Sequence, residues 1–158
     1  MDLFEEDQLN LNRRKADFDA FYDGLLPELV EFAGHMGFDS PHLVLNEAPR
    51  FADGLDQALR DLAIESSGDR VWLLLRVGYF VGEYFVQTYG GYWFVNDIAG
   101  SRYFARYVVG GFRNISPSTA MLDPFLIAQE FVDTPVPRSL SALIASADGE
   151  LRAMQVHS

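Results

Sequence analysis

The stretch VWLLLRVGYFVGEYFV, residues 71–86, decides the fold, because it is apolar on nearly every side. A membrane span is disfavoured, since Arg76 and Glu83 interrupt a run already shorter than the ~20 residues that spanning requires. Two buried strands would suit its β-branched and aromatic residues. We favour one buried central helix over residues 70–89, because no turn pattern occurs before Gly90-Gly91.

Arg76 and Glu83 are the charged residues of this apolar segment. On a helix they are about 700° apart at about 100° per residue, so they share almost the same angular position. Such a pair needs either contact with water or a buried polar network. Glu83 is then either a pocket acid with a raised pKa or a structural acceptor that holds a following hairpin onto the helix, and we favour the structural role. Gly78 and Gly82, four residues apart, predict the close approach of another helix or a strand.

Beyond residue 91 the apolar pattern changes to a period of two. Residues 92–95 and 102–109 predict two strands around a hairpin loop at 97–101, which has a glycine near its end. Residues 120–122 predict a third, short strand. The pattern therefore predicts a small antiparallel β-sheet.

Helical periodicity marks the segments that precede the apolar stretch. Residues 16–36 form either two helices separated near Pro27 or one kinked helix. A further helix begins at Pro49, carries leucines along one side, and is closed by residues 66–69. Residues 1–15 are expected to be a solvated lead-in that becomes helical.

The C-terminal third also has a strong helix start. Asp123-Pro124 combines an N-cap acceptor with proline at the first helical position, which predicts a helix over 125–132. A last helix is predicted over 139–147, followed by a loose tail at 149–158. We therefore expect a single α+β domain over residues 1–158, with helices packed around a buried central helix and a small antiparallel β-sheet.

The formal charge of −11 is confined to one part of the chain. Residues 1–69 hold 16 Asp or Glu and 5 Lys or Arg, whereas residues 70–158 hold seven of each. A negative field of this size repels phosphate backbones and anionic lipid headgroups, so we expect neither a nucleic-acid partner nor a membrane partner. Solubility alone would explain the charge. The more specific hypothesis is an acidic face that steers association with a basic protein.

The sequence lacks most of the motifs and residue types that enzymes and metal sites use. The chain has no cysteine, which excludes a disulfide, a thiolate metal site and a cysteine nucleophile. It has no nucleophile elbow, phosphate loop or His-Glu-x-x-His motif. Glycine and proline between His35 and His42 prevent a shared helix face, and His157 is expected to be solvated in the tail. We therefore expect no enzyme activity, no metal and no cofactor. The acidic opening predicts neither a signal peptide nor a basic targeting arm, so the expected location is cytoplasmic.

The spacing Gly82-Glu83-x6-Gly90-Gly91-x-Trp93 resembles a group of small uncharacterised bacterial proteins. In these an apolar helix ends in Gly-Glu, a Gly-Gly-x-Trp turn leads into a hairpin, and Pro-Phe opens a helix, which corresponds here to Asp123-Pro124-Phe125. The resemblance covers residues 50–147. It implies a member of a toxin–immunity neighbourhood, in which small acidic domains neutralise a cognate toxin. The acidic segment 1–69 lies largely outside the similar region and is the expected location of partner specificity.

We expect a non-enzymatic protein-binding module, most concretely a bacterial immunity protein that occludes a basic cognate toxin through an acidic surface. The alternative is a small enzyme or ligand-binding protein with a pocket around Arg76 and Glu83, close to Trp93. A third hypothesis is an adaptor that self-associates through the hairpin edge, so monomer and dimer both stay open. The residues expected to contact the partner are the acids Asp53, Asp56, Asp61 and Glu65 and the tyrosines Tyr103 and Tyr107.

Overall fold

The structure, a computed structural model, describes residues 3–115 and 119–156. Within them the chain is mostly helical, with one small antiparallel sheet, which confirms the predicted single α+β domain. The helices are α1 (Leu3–His35), α2 (Val44–Glu47), α3 (Ala52–Leu59), α4 (Ser67–Tyr89), α5 (Pro124–Asp133) and α6 (Leu140–Val156), with short 3-10 turns at Pro41–Leu43 and Ala48–Phe51. The strands are β1 (Tyr92–Val95), β2 (Tyr107–Gly110) and β3 (Met121–Leu122).

The apolar stretch is one buried helix, α4, as predicted. Val77, Phe80 and Phe85 are fully buried, so the helix contributes side chains to the core on several sides. Ser66 caps its start by accepting the Asp69 N–H at 3.0 Å. Residues 66–69 thus begin α4 and do not close the preceding helix, because α3 already ends at Leu59. This part of the prediction was wrong.

The two glycines of α4 are the places where other elements touch its backbone. A Cβ at Gly78 would lie 2.4 Å from the ring of Phe125, at the start of α5. A Cβ at Gly82 would lie 1.9 Å from Cζ2 of Trp93, on β1. The prediction that these glycines admit a helix and a strand is therefore confirmed, with the helix at the first glycine and the strand at the second.

The N-terminal segment is one helix of 33 residues, about 50 Å long. Pro27 lies inside it on the exposed side, where water can hydrate the carbonyl group that proline leaves without a donor. Leu25 and Leu29 are fully buried and anchor the second half. The expected lead-in is helical from Leu3 onward, and between residues 4 and 15 every side chain except the buried Leu11 is exposed.

The sheet is a three-stranded antiparallel meander, in which Trp93 pairs with Val109 and Val109 with Leu122. The predicted second strand at 102–109 is observed only at 107–110. Its first half is folded into turns instead, because Ala105 adopts a left-handed backbone with φ 63°. The N–H group of Ala105 donates to the backbone oxygen of the buried Asn96 at 2.7 Å, which closes a loop between the first two strands.

The C-terminal helices confirm one predicted boundary and correct another. The Asp123 carboxylate accepts the N–H groups of Phe125 at 2.9 Å and Leu126 at 3.3 Å, so it is the predicted N-cap of α5. Helix α6 continues past its predicted end at residue 147, because Leu151 is buried in the core. The expected loose tail is therefore helical through Val156.

Candidate functional site

The outer side of α1 is an acidic surface. Asp19, Asp23 and Glu31 are exposed along the helix, away from the buried leucines. Residues 16–49 hold seven Asp or Glu and neither Lys nor Arg. In the described part of the chain these three carboxylates form no ion pair, so their charge faces water.

Three of the four acids predicted to contact a partner are exposed as well. Asp53 lies in the first turn of α3, while Asp61 and Glu65 lie between α3 and α4. None of them forms an ion pair within the described residues. The segment that follows α1 lies beside α3, because the Phe38 ring would touch a Cβ placed on Gly54 at 2.7 Å. The start of α3, with Asp53, therefore lies beside the segment that follows the C-terminal end of α1.

Asp56, the fourth predicted contact acid, lies inside the protein and only 7% of it is exposed. Its carboxylate accepts the Arg60 guanidinium at 2.7 Å and the Ser141 N–H, in the first turn of α6, at 3.1 Å. Burial opposes ionisation, but the hydrogen bonds from Ser141 and Arg60 lower the pKa of Asp56 below its ordinary value. The expectation that Asp56 belongs to an exposed acidic surface was wrong, because its carboxylate is buried and joins α3 to α6.

The two tyrosines predicted as contacts are half-buried. Tyr107 stacks on Phe21 with ring centroids 4.1 Å apart and planes at 12°, and its hydroxyl donates to the Arg14 backbone oxygen at 3.3 Å. Tyr107 therefore joins β2 to α1. The Arg102 guanidinium lies 5.0 Å from the centroid of the Tyr103 ring, which lines a cleft of about 140 Å³ beside α5 and α6.

Arg76 and Glu83 do not form a common site, since no hydrogen bond or ion pair joins them in the described structure. The Arg76 guanidinium lies over the Trp72 ring at 4.7 Å and donates to the Trp72 backbone oxygen at 3.2 Å. Glu83 is 5% exposed and accepts the Trp93 indole N–H at 3.1 Å. Burial raises the pKa of Glu83, although hydrogen bonds from Trp93 and Gln87 partly oppose this. This geometry supports the structural role.

The Gly-Glu…Trp spacing thus has a local explanation. Gly82 leaves space for the Trp93 ring, and the next residue, Glu83, accepts the indole N–H of that ring. Gly90, with φ 73°, ends α4 in the left-handed conformation and turns the chain toward β1. Residues at this spacing therefore hold β1 against α4 by packing and a hydrogen bond.

A cavity of about 390 Å³ lies where α1, α4, α5 and the start of β2 meet, and the sequence did not predict it. We call it the arginine pocket. The residues that line it are Arg14, Phe21, Leu74, Leu75, Arg106, Tyr107, Asp123 and Phe125. These residues come from five separate parts of the sequence, so no single stretch predicts the pocket. The only local indication of a basic site was the run of three bases at residues 13–15.

No group of three or more His, Asp or Glu within residues 3–115 and 119–156 is arranged to hold a metal ion. No helix in the same residues has a stretch long and apolar enough to cross a membrane. Comparison with protein-family models, with curated proteins and with solved structures found no match to this chain.

Proposed function

We propose that this chain is a non-enzymatic protein-binding module that docks a basic protein through the acidic surface of α1 and α3. The observation that supports this most is the exposed outer side of α1, where Asp19, Asp23 and Glu31 form no ion pair within the described residues. Residues 16–49 hold neither Lys nor Arg. Like charges held on a rigid helix repel one another. A complementary basic surface relieves that repulsion, so association with such a surface is favoured.

In its most concrete form the module is an immunity protein that blocks a bacterial toxin by covering its basic surface. This form rests on the resemblance carried by the Gly-Glu-x6-Gly-Gly-x-Trp spacing. The fold suits occlusion, because α1 is about 50 Å long and presents carboxylates along its outer side. The charges would accelerate the encounter, and side chains at the centre of the contact would set the lifetime of the complex.

The test compares two charge-reversed proteins after the partner has been captured from the source cell. One carries Asp19→Lys and Asp23→Lys on α1. The matched control carries Glu130→Lys and Glu150→Lys, which make the same change in net charge at exposed positions of α5 and α6. Stopped-flow association rates are measured for both over a range of salt concentrations.

The α1 variant is expected to associate about tenfold more slowly at low salt and to lose most of the salt dependence. The control should slow association by no more than about twofold, because its charges lie outside the acidic surface. Equal effects from the two variants, or a wild-type rate indifferent to salt, would contradict the proposal.

A further inference from the structure

The arginine pocket has largely apolar, aromatic walls. Phe21 and Tyr107 stack with centroids 4.1 Å apart, and the Phe125 ring lies 5.9 Å from Phe21. Leu74 and Leu75 of α4 complete the apolar lining. A volume of about 390 Å³ falls in the range of pockets that hold small organic ligands.

The charged lining of the pocket is cationic, in contrast to the protein as a whole. Asp123 is the only acid among the lining residues, and both of its oxygens are engaged within the protein. One oxygen accepts the backbone N–H groups of Phe125 and Leu126, while the other accepts the Nε–H of Arg106. The negative charge of Asp123 is thus balanced by Arg106, leaving Arg14 as the remaining charge in the lining.

Arg14 forms no ion pair in the described part of the chain, and its side chain hydrogen-bonds the Tyr107 hydroxyl. It is exposed, and its guanidinium lies 5.4 Å from the centroid of the Tyr107 ring, which belongs to the same pocket. The Nη groups of Arg106 form no hydrogen bond within the described residues, since its bond to Asp123 uses Nε. Guanidinium groups bind carboxylates with strong, charge-assisted hydrogen bonds. The pocket therefore presents the free Nη groups of Arg106 and the remaining donors of Arg14 beside aromatic walls.

We propose that the arginine pocket binds a small aromatic carboxylate, independently of the protein partner proposed above. The carboxylate would lie against Arg14 and the free donors of Arg106, and the ring would lie against Phe21, Tyr107 and Phe125. Charge complementarity selects an anion, and the apolar walls select a ring without polar substituents. The site is separate from the acidic side of α1, where such an anion would be repelled.

The test uses 2-naphthoate as the probe, with its neutral analogue 2-naphthamide, and isothermal titration of the full chain. Wild type is expected to bind 2-naphthoate about tenfold more tightly than 2-naphthamide. Arg14→Gln should weaken 2-naphthoate binding by about the same factor and leave 2-naphthamide binding unchanged. The matched control is Arg13→Gln, which removes the same charge from an exposed neighbour outside the pocket and should retain wild-type affinity.

A second variant, Leu74→Trp, fills the pocket from α4 and should weaken the binding of both probes. The proposal is overturned if 2-naphthoate does not bind at concentrations up to about 10 mM. It is equally overturned if Arg14→Gln and Arg13→Gln have the same effect on affinity. Neither result would affect the proposed protein partner, whose test measures association rates of variants on the other side of α1.

Discussion

Asp56 and Glu83 are both buried carboxylic acids, at two junctions of the molecule, and their pKa values move in opposite directions. Asp56 joins α3 to α6, with 7% of it exposed, and Glu83 joins α4 to β1, with 5% exposed. The pKa of Asp56 is lowered and that of Glu83 is raised. Their exposed fractions are nearly equal, but Glu83 lies deeper in the protein, so burial penalises its charge more.

The donors around each group add to this difference. Burial penalises the charge of both acids, but Asp56 receives a guanidinium and the backbone N–H of Ser141 in the first turn of α6. A cation and the positive end of a helix dipole both favour the ionised acid. Glu83 receives the indole of Trp93 and the amide of Gln87, which carry no net charge. The α3–α6 junction therefore depends on charge, whereas the α4–β1 junction depends on packing and a neutral hydrogen bond.

The largest expected effect on stability comes from a substitution that disrupts the packing of the α4–β1 junction. Gly82→Ala would place a methyl group 1.9 Å from Cζ2 of Trp93, whose ring is buried and held by Glu83. We expect a loss of about 3 kcal/mol or more in the free energy of unfolding, measured by urea denaturation. The matched control is Gly24→Ala in α1, where nothing lies within 4 Å of the added methyl group.

Gly24→Ala should stabilise the protein by about 0.5–1 kcal/mol, because alanine favours a helix over glycine. Loss of stability in both variants would mean that glycine is needed for backbone reasons and that the Trp93 contact is not decisive. A wild-type urea midpoint for Gly82→Ala would contradict the observed packing.

The second-largest effect comes from a substitution that removes the carboxylate charge at the α3–α6 junction. Asp56→Ala leaves the Ser141 N–H and the Arg60 guanidinium without their acceptor, and we expect a loss of about 2 kcal/mol at neutral pH. The control is Asp53→Ala, on the same helix but exposed and without an ion pair in the described structure. It should change the free energy of unfolding by less than about 0.5 kcal/mol. Similar losses in the two variants would show that Asp56 does not join the helices.

The contrast between the junctions also shows which features a sequence can predict. The α4–β1 junction lies within twelve residues, so the glycine spacing, the acid and the tryptophan are all visible in one short stretch. The N-cap at Asp123 is equally local, because its carboxylate bonds residues two and three positions later. Both features follow from rules on helix geometry and capping.

The features that the sequence did not predict depend on distant residues. The acceptor Asp56 and the donor Ser141 are 85 residues apart, so the polar pattern of α3 placed Asp56 wrongly on the surface. Helix α6 extends beyond its predicted end because Leu151 packs in the core, and no neighbouring residue indicates that packing. The arginine pocket assembles residues from position 14 to position 125. Tertiary contacts, which periodicity does not encode, decide all three.

The smallest effect is a pH dependence that should separate the two acids. A group whose pKa is higher in the folded protein binds a proton more tightly there, so its contribution to stability falls as the pH rises. Wild type should therefore lose stability relative to Glu83→Gln, on the order of 1 kcal/mol or less, as the pH rises from the ordinary value of 4.5 through the raised pKa of Glu83. The glutamine retains an acceptor for the Trp93 indole and carries no charge at any pH.

Asp56 should show the opposite slope in the same urea experiments. Its lowered pKa means that its contribution is complete above the ordinary value of 3.8 and is lost as the pH falls through the folded pKa. The penalty of Asp56→Ala should accordingly shrink in acid, whereas the gain from Glu83→Gln should grow toward neutral pH. Parallel pH profiles for wild type and Glu83→Gln would mean that Glu83 is solvated when the protein is folded. The indole hydrogen bond would then be too weak to define the junction, and the packing of Trp93 on Gly82 alone would hold β1 on α4.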